Sequence, residues 1–191
     1  MNIDDIKLKL QKELEYSRYL HSLNVMEMAA SLAEKYGVDV KKAELAGILH
    51  DCGKNFGGEK AREYAREIGY TPDEIELAQP RLLHGIIGEH IAKTEYNVDD
   101  EEVLSAIRWH TTGKAGMTDL EKIIYVADYI EPLRDFEGIE EMRKAAFQNL
   151  DECVVLCADS TIRFILKKGL LLHEKTIETR NHSLKILRNL R

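Results

Sequence analysis

Ala46-Gly47-Ile48-Leu49-His50-Asp51-Cys52-Gly53-Lys54 is the stretch on which the reading of this chain turns. Ala43, Ala46, Ile48 and Leu49 have the spacing of a buried helix that begins near Asp39 and runs straight into His50-Asp51. Adjacent residues on a regular helix point about 100° apart and cannot grip one object, but at a helix end the chain leaves that geometry and they can. A neutral imidazole beside a carboxylate suits a hard-to-borderline divalent ion.

Outward from this segment every signal is helical. Upstream, Ile3, Ile6, Leu10 and Leu14 mark an amphipathic opening helix, and Ser17 caps a long one with Leu20, Leu23, Ala30 and Ala33 on its apolar side and Gly37 as its stop. Downstream, Thr71-Pro72-Asp73 reads as a cap followed by proline at the first helical position. Pro80 resets the chain before Leu82, Ile86, Ile87, His90 and Ile91, Asp99 or Asp100 caps a helix ending at His110, and Thr118-Asp119 starts one stopped by Pro132. Helices over about 139–149 and 151–168 and a basic one from Glu174 follow. Sustained alternation and hairpin dipeptides are missing, so the expected fold is an all-α bundle of about nine or ten helices.

The 191 residues, 44% hydrophobic and 32% charged, fit one globular domain. Three cysteines make no disulfide framework and point to a reducing compartment. The longest apolar run, Cys153 to Ala158, is six residues, against the ~18 of a membrane span, and the N-terminus reads as no secretory signal; the expected setting is cytoplasmic. A net charge of −7 argues against a nucleic-acid polymer as partner but leaves room for a local basic pocket.

Asp128 lies in Ile123-Ile124-Tyr125-Val126-Ala127-Asp128-Tyr129-Ile130. A carboxylate among such neighbours must be protonated, meet a cation, pair with an arginine or cap a neighbouring helix; the residues alone leave these open.

The order His21, then His50-Asp51 29 residues on, then Asp128 resembles the H…HD…D signature of the HD-domain metal-dependent phosphohydrolases. The closer resemblance is to the bacterial YqeK-type symmetrical bis(5′-nucleosyl)-tetraphosphatases. It is carried by Arg18-Tyr19-Leu20-His21-Ser22, the segment from Ala46 to Lys54, Leu83-His84-Gly85, Trp109-His110-Thr111-Thr112-Gly113, and Lys122 to Arg134. The resemblance implies a single HD domain over 1–191, with a metal-binding core at about 17–134 and C-terminal helices at about 139–191. It implies that His21, His50, Asp51 and Asp128 hold one metal ion, and that His84 and His110 hold a second, with Asp51 bridging. His84 and His110 are surplus to a one-metal site and lie on two further helices, which supports two ions independently. The cofactor expected is a pair of divalent or trivalent ions, iron first, with Mn, Co, Ni and Zn as alternatives. Two ions about 3.5–4 Å apart clamp the attacking and leaving oxygens of a phosphate ester and lower the pKa of a water between them.

Asp51 and Lys54 are the expected catalytic residues, and Arg18, Lys54, Thr111 and Arg134 the expected substrate-binding ones. For Arg18 and Arg134 the alternative is an ordinary surface salt bridge; for Thr111 and Thr112 it is satisfaction of their own helix end. The implied activity is hydrolysis of diadenosine tetraphosphate (Ap4A) and related dinucleoside polyphosphates to two nucleoside diphosphates. Its alternatives are an HD phosphohydrolase for another nucleotide, either a 5′-nucleotidase or a cyclic-dinucleotide phosphodiesterase, and a non-catalytic metal- or nucleotide-binding regulator. The expected partner is a small nucleotide, and a homodimer is compatible with the reading. His90 is assigned to core or surface, His173 and His182 to solvent, and Cys52, Cys153 and Cys157 to structural roles.

Overall fold

A computed structural model describes residues 1–190. Among these the secondary structure is helical, with eleven α-helices and one 3-10 turn: α1 (Ile3–Glu13), α2 (Tyr16–Tyr36), α3 (Val40–Leu49), α4 (Glu59–Glu67), α5 (Glu74–Ala78), the turn Pro80–Leu83, α6 (His84–Glu95), α7 (Glu101–Trp109), α8 (Asp119–Ile130), α9 (Ile139–Ala146), α10 (Leu150–Lys168) and α11 (Glu174–Leu187). No helix among the described residues is long and apolar enough to cross a membrane.

The helix absent from the sequence expectation is α4. Only Ala61 and Ala65 are buried along it, a stripe too thin to register as an apolar face. Two starts also shift. Leu14 is buried at the corner between α1 and α2, and the helix begins at once after Glu15, which places Ser17 inside the first turn rather than at the cap. Asp73, not Thr71, caps α5, because Asp73 and Glu76 form a reciprocal capping box. The caps at Asp39, Asp100 and Thr118 sit where the sequence places them, each accepting from main-chain N–H groups of its first turn; such a cap contributes about 1 kcal/mol.

Helix α8 is the axis of the bundle. It is buried at every position from Leu120 to Ala127 and again at Ile130, as expected of a helix enclosed by others. Helices α2, α3, α7 and α10 pack on it. The core stripe of α2 is Val25, Met26, Ala29, Leu32 and Ala33, so Leu20, Leu23 and Ala30 are only half-buried and the inward face is rotated from the expected one. That rotation turns His21 inward.

Helix α6 passes the turn after α3 and the end of α7 so closely that only glycine fits. A Cβ on Gly53 would lie 2.5 Å from both the His84 carbonyl oxygen and the Gly88 nitrogen, and one on Gly85 would strike the Arg108 carbonyl. Gly53→Ala is expected to lower stability by about 1–3 kcal/mol, read as a lower midpoint in urea denaturation. An unchanged midpoint would mean that the contact gives way freely.

Candidate metal centre

Five helices deliver the six residues. His21 comes from α2, His50 and Asp51 follow the last turn of α3, His84 opens α6, His110 follows α7, and Asp128 lies in the last turns of α8. His50, Asp51, His84 and His110 are buried.

The two carboxylate oxygens of Asp51 face different partners. Oδ1 lies 3.5 Å from Nε2 of both His84 and His110. Oδ2 lies 3.7 Å from Nε2 of His50 and 3.9 Å from Nε2 of His21. Asp128 Oδ1 closes the second group, 2.9 Å from His21 Nε2 and 3.7 Å from His50 Nε2. The halves meet in the middle, where His50, His110 and Asp128 also present atoms within reach of one another.

Three imidazoles share one anchoring device. Nδ1 of His50 donates to the Gly47 carbonyl at 2.7 Å, Nδ1 of His84 to that of Arg81, and Nδ1 of His110 to that of Ile107 at 2.7 Å. Each carbonyl belongs to the residue three positions earlier. A proton on Nδ1 leaves the neutral ring with a lone pair on Nε2, and these lone pairs point inward: Nε2 of His84 and His110 are 2.9 Å apart, and Nε2 of His50 lies 3.2 Å from Nε2 of His21. Burial pushes His50 down to about 4 and His84 down to about 3, the latter with the help of His110, so both rings are neutral near pH 7. Lone pairs at such separations repel unless a positive charge lies among them. With an Asp51 oxygen shared by the same nitrogens, the donor set fits a divalent ion.

Burial would raise the Asp51 carboxyl, but His50, His110, Lys54 and His84 hold it well below the usual carboxylate range. Asp128 is held down in the same way, by its bond to His21 foremost. His21 differs from the other imidazoles: burial lowers it, yet its bond to Asp128 prevails and raises it above the ordinary value.

Cationic side chains surround this cage. Arg18 Nη1 donates to Asp51 Oδ2 at 2.7 Å, and Lys54 Nζ lies 3.0 Å from both Asp51 oxygens. Arg134 donates from Nη2 to Asp128 Oδ1 at 2.8 Å and from Nε to the Asp128 main-chain oxygen at 3.0 Å. The arginine partner that the sequence left open for Asp128 is therefore present, beside the histidines rather than in place of them. Arg18 and Arg134 are not surface pairs in the ordinary sense, since their carboxylates are ones that the imidazoles also face. Thr111 Oγ1 lies 3.0 Å from His84 Nε2 and 3.1 Å from His110 Nε2. Thr112 bonds to the Gly113 carbonyl instead.

The HD domain model matches residues 18–133. The symmetrical bis(5′-nucleosyl)-tetraphosphatase of Bacillus subtilis is 40% identical over 182 residues, covering 95% of this chain and 97% of that one. The chain belongs to the HD-domain family of symmetrical bis(5′-nucleosyl)-tetraphosphatases. A relative with the same description from Staphylococcus aureus is 39% identical over 95% of this chain and 94% of its own. A crystal structure from Clostridium acetobutylicum, described as a predicted HD superfamily hydrolase involved in NAD metabolism, superposes with a TM-score of 0.94 at 45% identity, covering 97% of this chain and 98% of that one.

One residue of this HD centre escaped the sequence reading. Glu131, 2% exposed, accepts from His21 Nδ1 at 3.1 Å, from Asn24 Nδ2 at 3.1 Å and from the Leu133 N–H at 2.7 Å. His21 is thus oriented by a carboxylate while the other three imidazoles use main-chain carbonyls, and such outer partners fix ring orientation and ligand basicity. Its position three residues after Asp128, on the same side of the helix end, was the available signal. Arg143 on α9 braces this turn by donating to the carbonyls of Ile130, Glu131 and Arg134.

His173 is a correction. It is buried rather than solvated, its Nδ1 accepts from the Lys175 N–H at 3.1 Å, and its Nε2 lies 3.0 Å from Asp73 Oδ2. The buried face of α11 is Thr176, Thr179 and Ser183, small polar residues that read as a wet surface in sequence. Asp73, Glu76 and His173 also come together, but Asp73 and Glu76 are engaged in their capping box and His173 caps α11. His90 is half-buried, with Nδ1 3.1 Å from the Tyr64 hydroxyl. Cys52, Cys153 and Cys157 are free and buried, and burial pushes the Cys52 thiol up, the reverse of what a nucleophile needs.

Proposed function

We infer that this protein is a metal-dependent hydrolase that splits Ap4A and related dinucleoside polyphosphates at their centre into two nucleoside diphosphates. The observation that carries this reading is the division of the Asp51 carboxylate between His84 and His110 on one oxygen and the His21, His50 and Asp128 group on the other. Full-length similarity to the symmetrical tetraphosphatases supports the choice of substrate.

In this reading His21, His50, Asp51 and Asp128 hold one ion and Asp51, His84 and His110 a second, with iron first among the candidates. When bound, such ions supply Lewis acidity and a water that is deprotonated near neutral pH. Asp51 sets the spacing of the two halves because its carboxylate is common to both. Arg18, Lys54 and Arg134 now neutralise Asp51 and Asp128. Where metal charge takes over that task, their N–H groups are available to the phosphoryl oxygens. Lys54 serves the oxygens of the phosphorus under attack, Arg18 and Arg134 bind the flanking phosphates, and the Thr111 hydroxyl donates to the same chain. In-line displacement needs the attacking and leaving oxygens on opposite sides of that phosphorus, so donors on both sides of the cage match a polyphosphate laid across it. The small-molecule partner and cytoplasmic setting expected from the sequence remain part of this reading, and the three free buried thiols are in keeping with a reducing compartment.

Hydrolysis of Ap4A in ¹⁸O-enriched water is the test. Two ADP are expected per Ap4A, with label on the terminal phosphate of one ADP in each pair. AMP and ATP as products would mean an asymmetric cut, and brisk hydrolysis of AMP or a cyclic dinucleotide with Ap4A untouched would move the protein to another branch of nucleotide chemistry.

A further inference from the structure

Helix α11 lies beyond residues 18–133, the stretch matched by the HD domain model, yet it and the loop before it meet the two segments that carry His84 and His110. The first meeting is at Thr179, 1% exposed, whose Oγ1 donates to the Thr112 carbonyl at 3.1 Å. Thr112 is two residues past His110 and next to Thr111. The approach is close. Gly113 has φ +65°, and a Cβ there would fall 2.4 Å from Thr179 Oγ1 and 2.7 Å from its Cγ2, so both the turn and the contact require glycine. On its other side the turn is tied to α8 by Lys114, whose Nζ lies 2.7 Å from the buried Glu121 carboxylate. Held between these ties, Thr111 Oγ1 lies 3.0 Å from Nε2 of His84 and 3.1 Å from that of His110. The second meeting is at the start of α11. The Leu171 carbonyl accepts from Gln79 Nε2 at 2.6 Å, and His173 Nε2 lies 3.0 Å from Asp73 Oδ2. Gln79 directly precedes the turn Pro80–Leu83, which presents the Arg81 carbonyl to His84 Nδ1. The His21 end of the cage is braced from elsewhere, by Asn24 and Glu131 and by Arg143 on α9.

We propose that α11 braces the His84–His110 half of the cage and that Thr179 is its positioning residue, holding the 111–113 turn so that Thr111 and the two imidazoles keep their mutual geometry. The proposal rests on the two-ion reading above and adds the element that holds the second half in place. Its physical basis is the carbonyl. A partly buried carbonyl that loses its donor must find water or another partner, and the Thr112 peptide then turns and takes the Thr111 side chain with it. Both imidazoles feel that movement, because one hydroxyl touches both. Partners one bond removed from metal ligands change metal affinity by about 10–100-fold. The composition of α11 fits this role: its buried residues are Thr176, Thr179 and Ser183, which offer hydroxyls where an ordinary packing helix offers leucine.

The experiment titrates the full-length chain, stripped of metal, with Zn²⁺ and follows both the ions bound per chain and the histidine side-chain ¹⁵N resonances, in the wild type, Thr179→Val and Thr179→Ser. Valine keeps the shape and removes the hydroxyl; serine returns it. In Thr179→Val one ion is expected to weaken about tenfold or more while the other keeps its affinity. Before any Zn²⁺ is added, the His84 and His110 resonances are expected to move while those of His21 and His50 stay. Thr179→Ser should restore both readouts. The His84→Ala protein identifies the half, because adding Thr179→Val to it should leave its remaining ion unaffected. Both ions weakened alike, all four histidines displaced, or serine behaving as valine would make Thr179 a general packing residue, and unchanged ions and resonances would make the contact idle; each overturns the proposal. If the wild type binds fewer than two ions while valine moves His84 and His110 alone, the two-ion reading falls and the positioning role stands. Two ions in the wild type with no response to valine would do the reverse.

Discussion

Asp51→Ala is expected to lose both metal ions and to reduce turnover of Ap4A by at least about 10³-fold, while helical content is retained. The carboxylate is wholly buried, and its two oxygens face separate groups of imidazoles. Removing it therefore takes one donor from each group at once and leaves Arg18 and Lys54 without their counter-charge. His84→Ala and His110→Ala should behave differently: each takes a donor from one group only, so one ion per chain is expected to remain although turnover is nearly abolished. Metal analysis of the purified variants, read beside kcat/KM, distinguishes the cases. Two ions retained in both His84→Ala and His110→Ala would show that these residues hold no metal, and one ion retained in Asp51→Ala would show that it does not bridge.

The second large effect concerns the cations. Lys54→Ala and Arg134→Ala should each keep full metal content and lower kcat/KM by roughly 10²-fold, the usual scale for removing a charged donor that acts in the transition state. Arg134→Lys should recover only part of the loss, because Arg134 uses Nε and Nη2 in a fixed fork that an ammonium group cannot reproduce. Normal kinetics in the alanine variants would reduce Lys54 and Arg134 to partners of Asp51 and Asp128. A loss of metal with either substitution would instead make their role electrostatic support of the cage.

The helical architecture was legible through strong local signals, as were His50-Asp51 and Asp128, whereas His21, His84 and His110 came from the resemblance to the HD phosphohydrolases. Caps such as Asp39 and Thr118 announce helix starts through their own side chains. His50-Asp51 stands out because charged and polar groups interrupt an apolar run. What stayed hidden was set by tertiary packing. The α4 helix buries only two alanines, and the inward face of α2 was fixed by the helices around it rather than by its own most apolar stripe. His173 caps a basic helix whose core face is threonine and serine, so no hydrophobic period revealed its burial. Glu131 meets His21 only through the fold, from the turn before Pro132.

The tie between three imidazoles and the main-chain carbonyls three residues behind them has a dynamic consequence. A ring bonded to its own helix end keeps its orientation best while that end stays wound. If these rings hold the ions as proposed, release at His50 or His110 is coupled to fraying at the C-terminal turn of α3 or α7, and at His84 to loosening of the turn that opens α6. The centre is only as persistent as the least protected of those turns. With ions held there, exchange of amide hydrogens in those turns is expected to slow on metal loading more than exchange elsewhere in the bundle.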